Sequence, residues 1–446
     1  MTTLYFFIFI NSYWTTLFIY AIITYINNRK KGDKMLNLFF IIIFIELFTI
    51  LYNLIKFFIY KIKYKSNSKI ASFQCDDDFH INVLIPCYKE TKVIRKTLEH
   101  FKEMLKNIKN IDVYVITTEK EKHEEAIAQT TYEYLLKLKL FNDSRFHILN
   151  YPKTTGIMAN QLNYAIDEVL KLQKLPKDKI YFSIYNADSR PDSSTFVELF
   201  QKIKQNNFPK IIQQYSNYFV NYTSLSFIMK GFSIYQTAFE FRNGLINNNI
   251  SNFLYSHVVG HGLTIRADYI TNVGKFNSKF WCEDIYLTGL VHNNNEKILS
   301  LNSLDNAETP NNLRLQIIQN AVWFKTASHH FSILKNIKKH YGISLNGFIW
   351  LFHELRSTLV WIFMPIFIIY SFIYPVIIQN YVFFFLSICM YLVFIFVNYF
   401  LNLLIVNKKR FYLYVKSYFS TCIAILFTGI GPLYSLFLKQ KVKTER

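Results

Sequence analysis

IYFSIYNADSRPD, from Ile180 to Asp192, is the stretch whose reading decides the fold. Ile180–Tyr185 reads as a short apolar strand, and Asn186–Ala187–Asp188 follows where that strand must turn, ahead of Pro191. Three strand-like runs precede it: Ile81–Ile85 (INVLI), Ile111–Ile116 (IDVYVI) and His147–Tyr151. Between them lie segments of helical character. One runs from the turn Pro86–Cys87–Tyr88–Lys89–Glu90 to about Leu105, and a polar one follows Thr117–Thr118–Glu119–Lys120 through Leu140. The third, Gly156–Leu172, repeats its apolar residues at Leu162, Ala165, Ile166, Val169 and Leu170. Strands alternating with helices predict an α/β domain with a mostly parallel sheet and a site at its carboxyl edge. Asp192 reads as a helix-start residue.

Outward from this core the composition changes. The chain has 446 residues, 51% hydrophobic and 18% aromatic, with the apolar residues gathered at both ends. Residues 4–26 and 35–60 are each long enough to cross about 30 Å of hydrocarbon. The first has neither a basic leader nor a small-residue cleavage site, so a removed signal peptide is not expected. Phe348–Ile378, Tyr381–Val406 and Phe411–Leu438 are further candidate spans, and Gly429, Gly431 and Pro432 can break the last. Ser328–Tyr341 sets Phe331, Leu334, Ile337, Lys338 and Tyr341 along one helical side, which predicts a helix lying on the bilayer. The expected organisation is two membrane helices in 1–65, an α/β domain in 66–326, an interfacial helix in 327–347 and about three spans in 348–446.

The formal net charge is +20. No basic helix, zinc spacing or RNA-binding motif accompanies it, so nucleic acid is not the expected partner. Many lysines adjoin hydrophobic runs, which points to membrane lipids. Positive charge flanks both sides of the first two spans and does not orient them. The five cysteines show no paired or metal-ligand spacing, and reduced thiols place the middle domain on the cytosolic side. A transporter fits poorly, because the spans are few and the middle domain is large.

Downstream, His257–Leu290 ends in the acidic pair Glu283–Asp284, between Trp281 and the apolar run Ile285–Leu287. A carboxylate in an aromatic setting has a raised pKa and can take a proton in a reaction. A helix start with two acids fits the same residues.

The order of motifs resembles the membrane-integrated family 2 glycosyltransferases, the cellulose- and hyaluronan-synthase-like enzymes, over roughly residues 78–326. These motifs are PCYKE, TTEK, GIMANQLNYA, NADSRPD, GHGLTIR, CEDIYLTG and QNAVW. The resemblance implies a GT-A fold, a nucleotide-sugar donor (usually a UDP-sugar), inversion at the anomeric centre, and Mg²⁺ or Mn²⁺ on the diphosphate. It implies that Pro86, Tyr88 and Glu90 line the nucleoside pocket, with Lys89 where Asn is usual, and that Glu119 stands in for an Asp that reads base or ribose. Asn163 matches the family's A-L-N helix, with Met158 where a basic residue is usual and Lys153 as a substitute. Asn186 and Asp188 match the D-A-D signature, Asp188 as the metal ligand. His261 lies in the segment under the sugars. Asp284 matches the T-E-D base that deprotonates the acceptor hydroxyl, with Cys282 in place of Thr, and Glu283 supports the acceptor. Gln319 and Trp323 match the ends of Q-x-x-R-W, Trp323 as a stacking floor, while Val322 replaces the Arg. Lys325 and Arg314 are the basic residues offered to compensate. The implied acceptor is a polysaccharide or a lipid-linked group at the membrane. The departures admit a second expectation, a catalytically inert membrane binding or assembly protein.

Overall fold

The computed structural model describes residues 31–64, 78–106, 108–123, 129–250, 256–280, 282–406 and 411–437. The candidate span 4–26, Trp281 and the C-terminal KQKVKTER lie outside or largely outside these residues. In chain order the strands are β1 (His80–Pro86), β2 (Ile111–Thr118), β3 (Phe146–Tyr151), β4 (Ile180–Ile184), β5 (Arg190–Pro191), β6 (Ile211–Gln213), β7 (Ser216–Asn217), β8 (Leu263–Arg266), β9 (Ile298–Ser300) and β10 (Asp305–Asn306).

The main sheet runs β3-β2-β1-β4-β8-β6-β9 among the described residues. Its first four strands are parallel, β8 is antiparallel to both neighbours, and β9 is parallel to β6. The fold is therefore a mixed α/β arrangement with a mainly parallel sheet. Pairing of Leu84 with Ile184, Pro86 with Ile116 and Thr118 with Tyr151 brings the carboxyl ends of β1 to β4 to one edge. Both faces are packed. Leu84, Phe182 and Ile116 meet Leu162, Ile166 and Leu290 on one side, while Val83, Ile85 and Val113 meet Leu98, Phe101 and Phe196 on the other. Burial on both faces is why these strands read as continuous apolar runs.

The polar helix expected through Leu140 is not formed as one piece. Among the described residues, the 3₁₀ turns Glu119–His123 and Lys139–Asn142 and the short helix Thr131–Leu136 stand there instead. Thr130 caps the short helix with a capping box to Glu133, so the chain restarts locally. Asp192 does not open a helix either: its two oxygens accept from Leu304 N–H and the Asn306 side chain, pinning β10 beside β5.

Among the described residues, four helices are long and apolar enough to cross a membrane: Met35–Lys63, Leu345–Ile377, Tyr381–Leu404 and Tyr418–Ser435. The last is interrupted between Phe427 and Ile430. Its halves pack on two helices of the α/β domain, and small residues permit this. A Cβ on Gly231 would sit 2.3 Å from the Ser420 carbonyl oxygen, and one on Gly431 would sit 2.5 Å from the Asn320 Cβ. The helix carrying Gly231, Phe227–Glu240, has no counterpart in the expected elements. It continues through a wide π-type turn, Phe241–Leu245, into Ile246–Ile250. In the His330–Tyr341 helix, Ile333 and Ile337 turn into the core beside Trp350, while Phe331 and Tyr341 stay exposed.

Candidate active site

The carboxyl edge of β1 to β4 opens into one cavity of about 540 Å³. It is built from turns at one end and helices at the other. At the turn end, Pro86, Tyr88 and Glu90 line it together with Thr118 and Lys120. Lys89 adopts φ +59°, a left-handed conformation that Asn enters more easily than Lys. The turn is held by Glu121, a carboxylate only 1% exposed. Glu121 Oε1 accepts from Lys89 N–H at 2.7 Å and Oε2 from Thr131 N–H at 2.6 Å. The Lys89 and Lys120 ammonium groups lie 5.4 and 4.9 Å from the Tyr88 ring, which brings positive charge to that aromatic face.

Two of the candidate residues sit elsewhere. Glu119 pairs with Lys122 at 2.8 Å and accepts from Asn150, off the cavity wall. The bonds from Lys122 lead the causes that hold its pKa below the usual carboxylate value. Asn163 brackets the Phe276 backbone, donating to its carbonyl at 2.8 Å and accepting from its N–H at 3.0 Å. Two residues earlier, Gln161 does line the cavity, and its amide donates to the Cys87 and Ile116 carbonyls. Glu121 carries no sequence signal of its own, since it sits in the charged run EKEKHEE.

Asn186 and Asp188 line the cavity just past β4, and Asp188 is 4% exposed. The turn is closed by Ser189, whose hydroxyl receives the Asn186 N–H at 3.1 Å and donates to Asp305 Oδ2 at 2.7 Å. Asp305 belongs to a buried network. Ser216 Oγ and His261 Nδ1 lie 3.0 Å apart, His261 Nε2 is 3.5 Å from Glu240 Oε1, and Tyr218 donates to the same oxygen at 2.7 Å. Burial opposes a charge on His261, yet the Glu240 and Asp305 carboxylates outweigh it and hold its pKa above 6.5. Burial likewise pushes the Asp305 carboxyl up, against the pull of His261 and Ser189. A lone acid in the apolar run FIMKGFSIYQTAFE was the available signal for Glu240.

The segment before β8 carries Gly260, His261 and Gly262 past this network. Gly262 has φ +63°, and a Cβ there would lie 2.4 Å from the Gln214 carbonyl oxygen, so only glycine passes. Gly260 N–H donates to Asp284 Oδ2 at 3.1 Å, and Val258 N–H donates to Thr288 Oγ1 at 3.1 Å. These bonds stitch the loop to the helix Glu283–Asn293. Asp284 Oδ1 accepts from Ile285 N–H at 2.9 Å. Glu283 is buried on the same wall, 4% exposed. The carboxylate of Asp284 is thus fixed by its first helical turn and faces the cavity.

The helical end is lined by Gln319, Val322, Trp323 and Phe324 from the helix Leu313–Lys325, and by Glu354, Ser357, Thr358 and Trp361 from the apolar helix Leu345–Ile377. Gln319 accepts from the Gln236 amide at 3.0 Å, tying its helix to Phe227–Glu240. Trp323 remains 39% exposed, a ring face open to the cavity. The offered substitutes for the missing Arg do not reach here. Lys325 donates to the Ser435 carbonyl at 3.2 Å, and Arg314 is exposed away from the lining. The four cysteines among the described residues are free thiols.

The cavity therefore brings together Pro86, Tyr88, Glu90, Asn186, Asp188, His261, Glu283, Asp284, Gln319 and Trp323, and leaves out Glu119 and Asn163. No family model matches the chain, and no curated protein sequence matches it. Its structural neighbours are glycosyltransferases. The mannosyltransferase PcManGT from Pyrobaculum calidifontis, in complex with GDP-Man and Mn²⁺, matches with a TM-score of 0.51 at 10% identity, over 90% of this chain and 99% of that one. Residues 1–349 of S. aureus TarS in complex with UDP-GlcNAc match with a TM-score of 0.43 at 12% identity, over 79% and 90%. At such identities the first likeness establishes a shared fold.

Proposed function

We propose that this chain is an inverting glycosyltransferase of the GT-A, family 2 type. It moves a hexosyl group from a nucleotide-sugar donor, most simply a UDP-sugar, to a polysaccharide or lipid-linked acceptor at the membrane. The observation that carries the reading is the meeting of the Asp188 turn, the Asp284 carboxylate and the Trp323 ring on one cavity at the carboxyl edge of a parallel sheet. The mannosyltransferase with the same fold is described with a nucleotide sugar and a divalent ion, which supports the donor class.

In this reading the nucleoside lies against Tyr88, with Pro86, Glu90 and Lys120 around it. Among the described residues no cluster of three His, Cys, Asp or Glu side chains forms a self-sufficient metal cage. Asp188, a hard oxygen donor on the cavity wall, would be the residue to hold Mg²⁺ or Mn²⁺. When bound, the ion neutralises charge that grows on the leaving diphosphate. Asp284 takes the proton of the acceptor hydroxyl as that oxygen attacks the anomeric carbon. The nucleoside diphosphate departs from the opposite face, which inverts the centre. Gly260 N–H, bonded to Asp284 Oδ2, keeps the base aimed. Trp323 offers a face for the acceptor ring, and Glu283, Gln319 and His261 frame it. In this reading the apolar helices, long enough to span a membrane, anchor a multi-pass protein whose α/β domain faces the cytoplasm.

The rival reading, an inert binding or assembly protein, draws on Val322 and on Lys325 being engaged by the Ser435 carbonyl. Membranes containing the protein, supplied with Mg²⁺ or Mn²⁺ and a panel of radiolabelled nucleotide sugars, decide between them. Nucleotide release with one donor is expected; silence with every donor leaves the inert reading. Partition of the labelled product into organic solvent separates glycolipid from polymer.

A further inference from the structure

The Asp188 turn is held from behind the cavity wall by a residue that belongs to none of the sequence motifs. Between Asn186 and Ser189 the chain closes on itself. Ser189 N–H donates to the Asn186 carbonyl at 3.1 Å, and Asn186 N–H donates to Ser189 Oγ at 3.1 Å. On one flank, the Thr97 hydroxyl donates to the Ala187 carbonyl at 2.6 Å. On the other, the Ser189 hydroxyl turns its one proton to Asp305 Oδ2 at 2.7 Å.

Asp305 is fixed independently of that turn. It lies on β10, the middle strand of the three-stranded sheet β5-β10-β7, opposite Pro191 on β5 and Ser216 on β7. Its N–H donates to the Tyr215 carbonyl at 3.0 Å, and the Ser216 hydroxyl donates to the same Oδ2 at 3.3 Å. Just upstream, Glu198 accepts from the Asn302 and Ser303 N–H groups at 2.7 and 2.8 Å, which pins the approach to β10 onto the helix Thr195–Gln205. Asp305 and Ser189 are 0% and 1% exposed, so water does not compete for the bond between them. The bond asks only for an accepting oxygen, which Oδ2 provides with or without a proton on Oδ1. Neither residue lines the cavity, but Asp188, one position before Ser189, does. A displacement of Ser189 therefore moves the Asp188 carboxylate, and a misplacement of about 1 Å costs on the order of a hundredfold in rate.

We infer that Asp305 is a positioning residue for the donor diphosphate: through Ser189 it sets the Asp188 turn, and it touches neither donor nor acceptor itself. This deepens the transferase reading and rests on it for the word donor.

The test titrates the full chain in lipid nanodiscs, with Mn²⁺ present, with UDP and GDP and with the nucleosides uridine and guanosine. Binding is read by isothermal titration calorimetry. One diphosphate is expected to bind the native chain more tightly than its nucleoside does. Ser189→Ala and Asp305→Ala are each expected to weaken that diphosphate about tenfold, the scale of one buried hydrogen bond, while nucleoside affinity holds. The double variant is expected to lose no more than either single one, because both break the same relay. Asp305→Asn, which keeps an accepting oxygen, is expected to stay within about threefold of the native chain. If Asp305→Ala does not fold, as judged by thermal unfolding, Ser189→Ala and Asp305→Asn carry the comparison. Unchanged diphosphate affinity in Ser189→Ala, an equal loss for the nucleoside, additive losses, or no binding of either diphosphate overturns the inference. The expected pattern in a chain that releases no nucleotide from any donor retains it and removes the transferase reading. Turnover by the native chain, with diphosphate affinity unchanged in Ser189→Ala, does the reverse.

Discussion

The two ends of the cavity are built on different principles. The end proposed for the donor is made of strand ends and tight turns, each contiguous in sequence: Pro86–Glu90 after β1, Thr118–Lys120 after β2, Asn186–Asp188 after β4. The end proposed for the acceptor is made of helix faces and a loop distant in sequence, with Glu240, His261, Trp323 and Glu354 brought together only by packing. Parallel strands deliver loops to one edge by topology alone, so the donor end follows from the fold. The acceptor end depends on how the apolar helices dock, through close approaches such as those of Gly231 and Gly431.

That difference can be broken most sharply at Asp188. Replacement by Ala, or removal of divalent ions with EDTA, is expected to lower nucleotide release by about a thousandfold, in line with losing a principal charge-stabilising group. Excess Mn²⁺ should restore the EDTA-treated protein and not the variant. A smaller effect of a different kind is expected at Glu121. Glu121→Ala strands the Lys89 N–H of the turn after β1 and the buried Thr131 N–H, each worth about 1–3 kcal/mol. Chemical denaturation should show that loss, and donor KM should rise more than kcat falls. At the acceptor end, Trp323→Leu is expected to raise acceptor KM about five- to tenfold while donor KM holds, consistent with about 1 kcal/mol for a ring contact.

The smallest effect is in pH. The folded pKa of His261 lies above its ordinary 6.5, so its contribution to stability is complete below pH 6.5 and declines as pH rises through the raised value. Tm measured from pH 6 upward should therefore fall more steeply in the native chain than in His261→Gln. Equal slopes would mean that the Glu240–His261–Asp305 network is not an ionic one.

Most of the sheet and the donor turns were legible in the sequence, because a parallel strand buried on both faces announces itself as an apolar run ending in polar residues. Legibility failed where tertiary contacts overrode local pattern. The charged run after β2 has helix-forming composition, yet Glu121 is spent on the Lys89 and Thr131 N–H groups, and the chain turns. Phe331, Leu334, Ile337, Lys338 and Tyr341 read as one bilayer-facing side, whereas Ile337 joins Ile333 in the core and Phe331 is 67% exposed. Glu119 and Asn163 occupy motif positions, but Lys122, Asn150 and the Phe276 backbone hold them off the cavity. Glu354 reads in sequence as an interfacial acid beside His353 and Arg356. Its cavity position emerges only when the loop containing His257 and the helix containing His330 converge on it.

The central claim is that Asp284 activates an acceptor hydroxyl against a donor held at Asp188. Initial rates of nucleotide release by the native chain and by Asp284→Asn, at saturating donor and acceptor, test it directly. Asn keeps an oxygen for the Gly260 N–H and loses the basic lone pair. A fall of at least about a hundredfold, with donor affinity and thermal unfolding preserved, is the predicted result. A rate equal to that of the native chain would contradict the account.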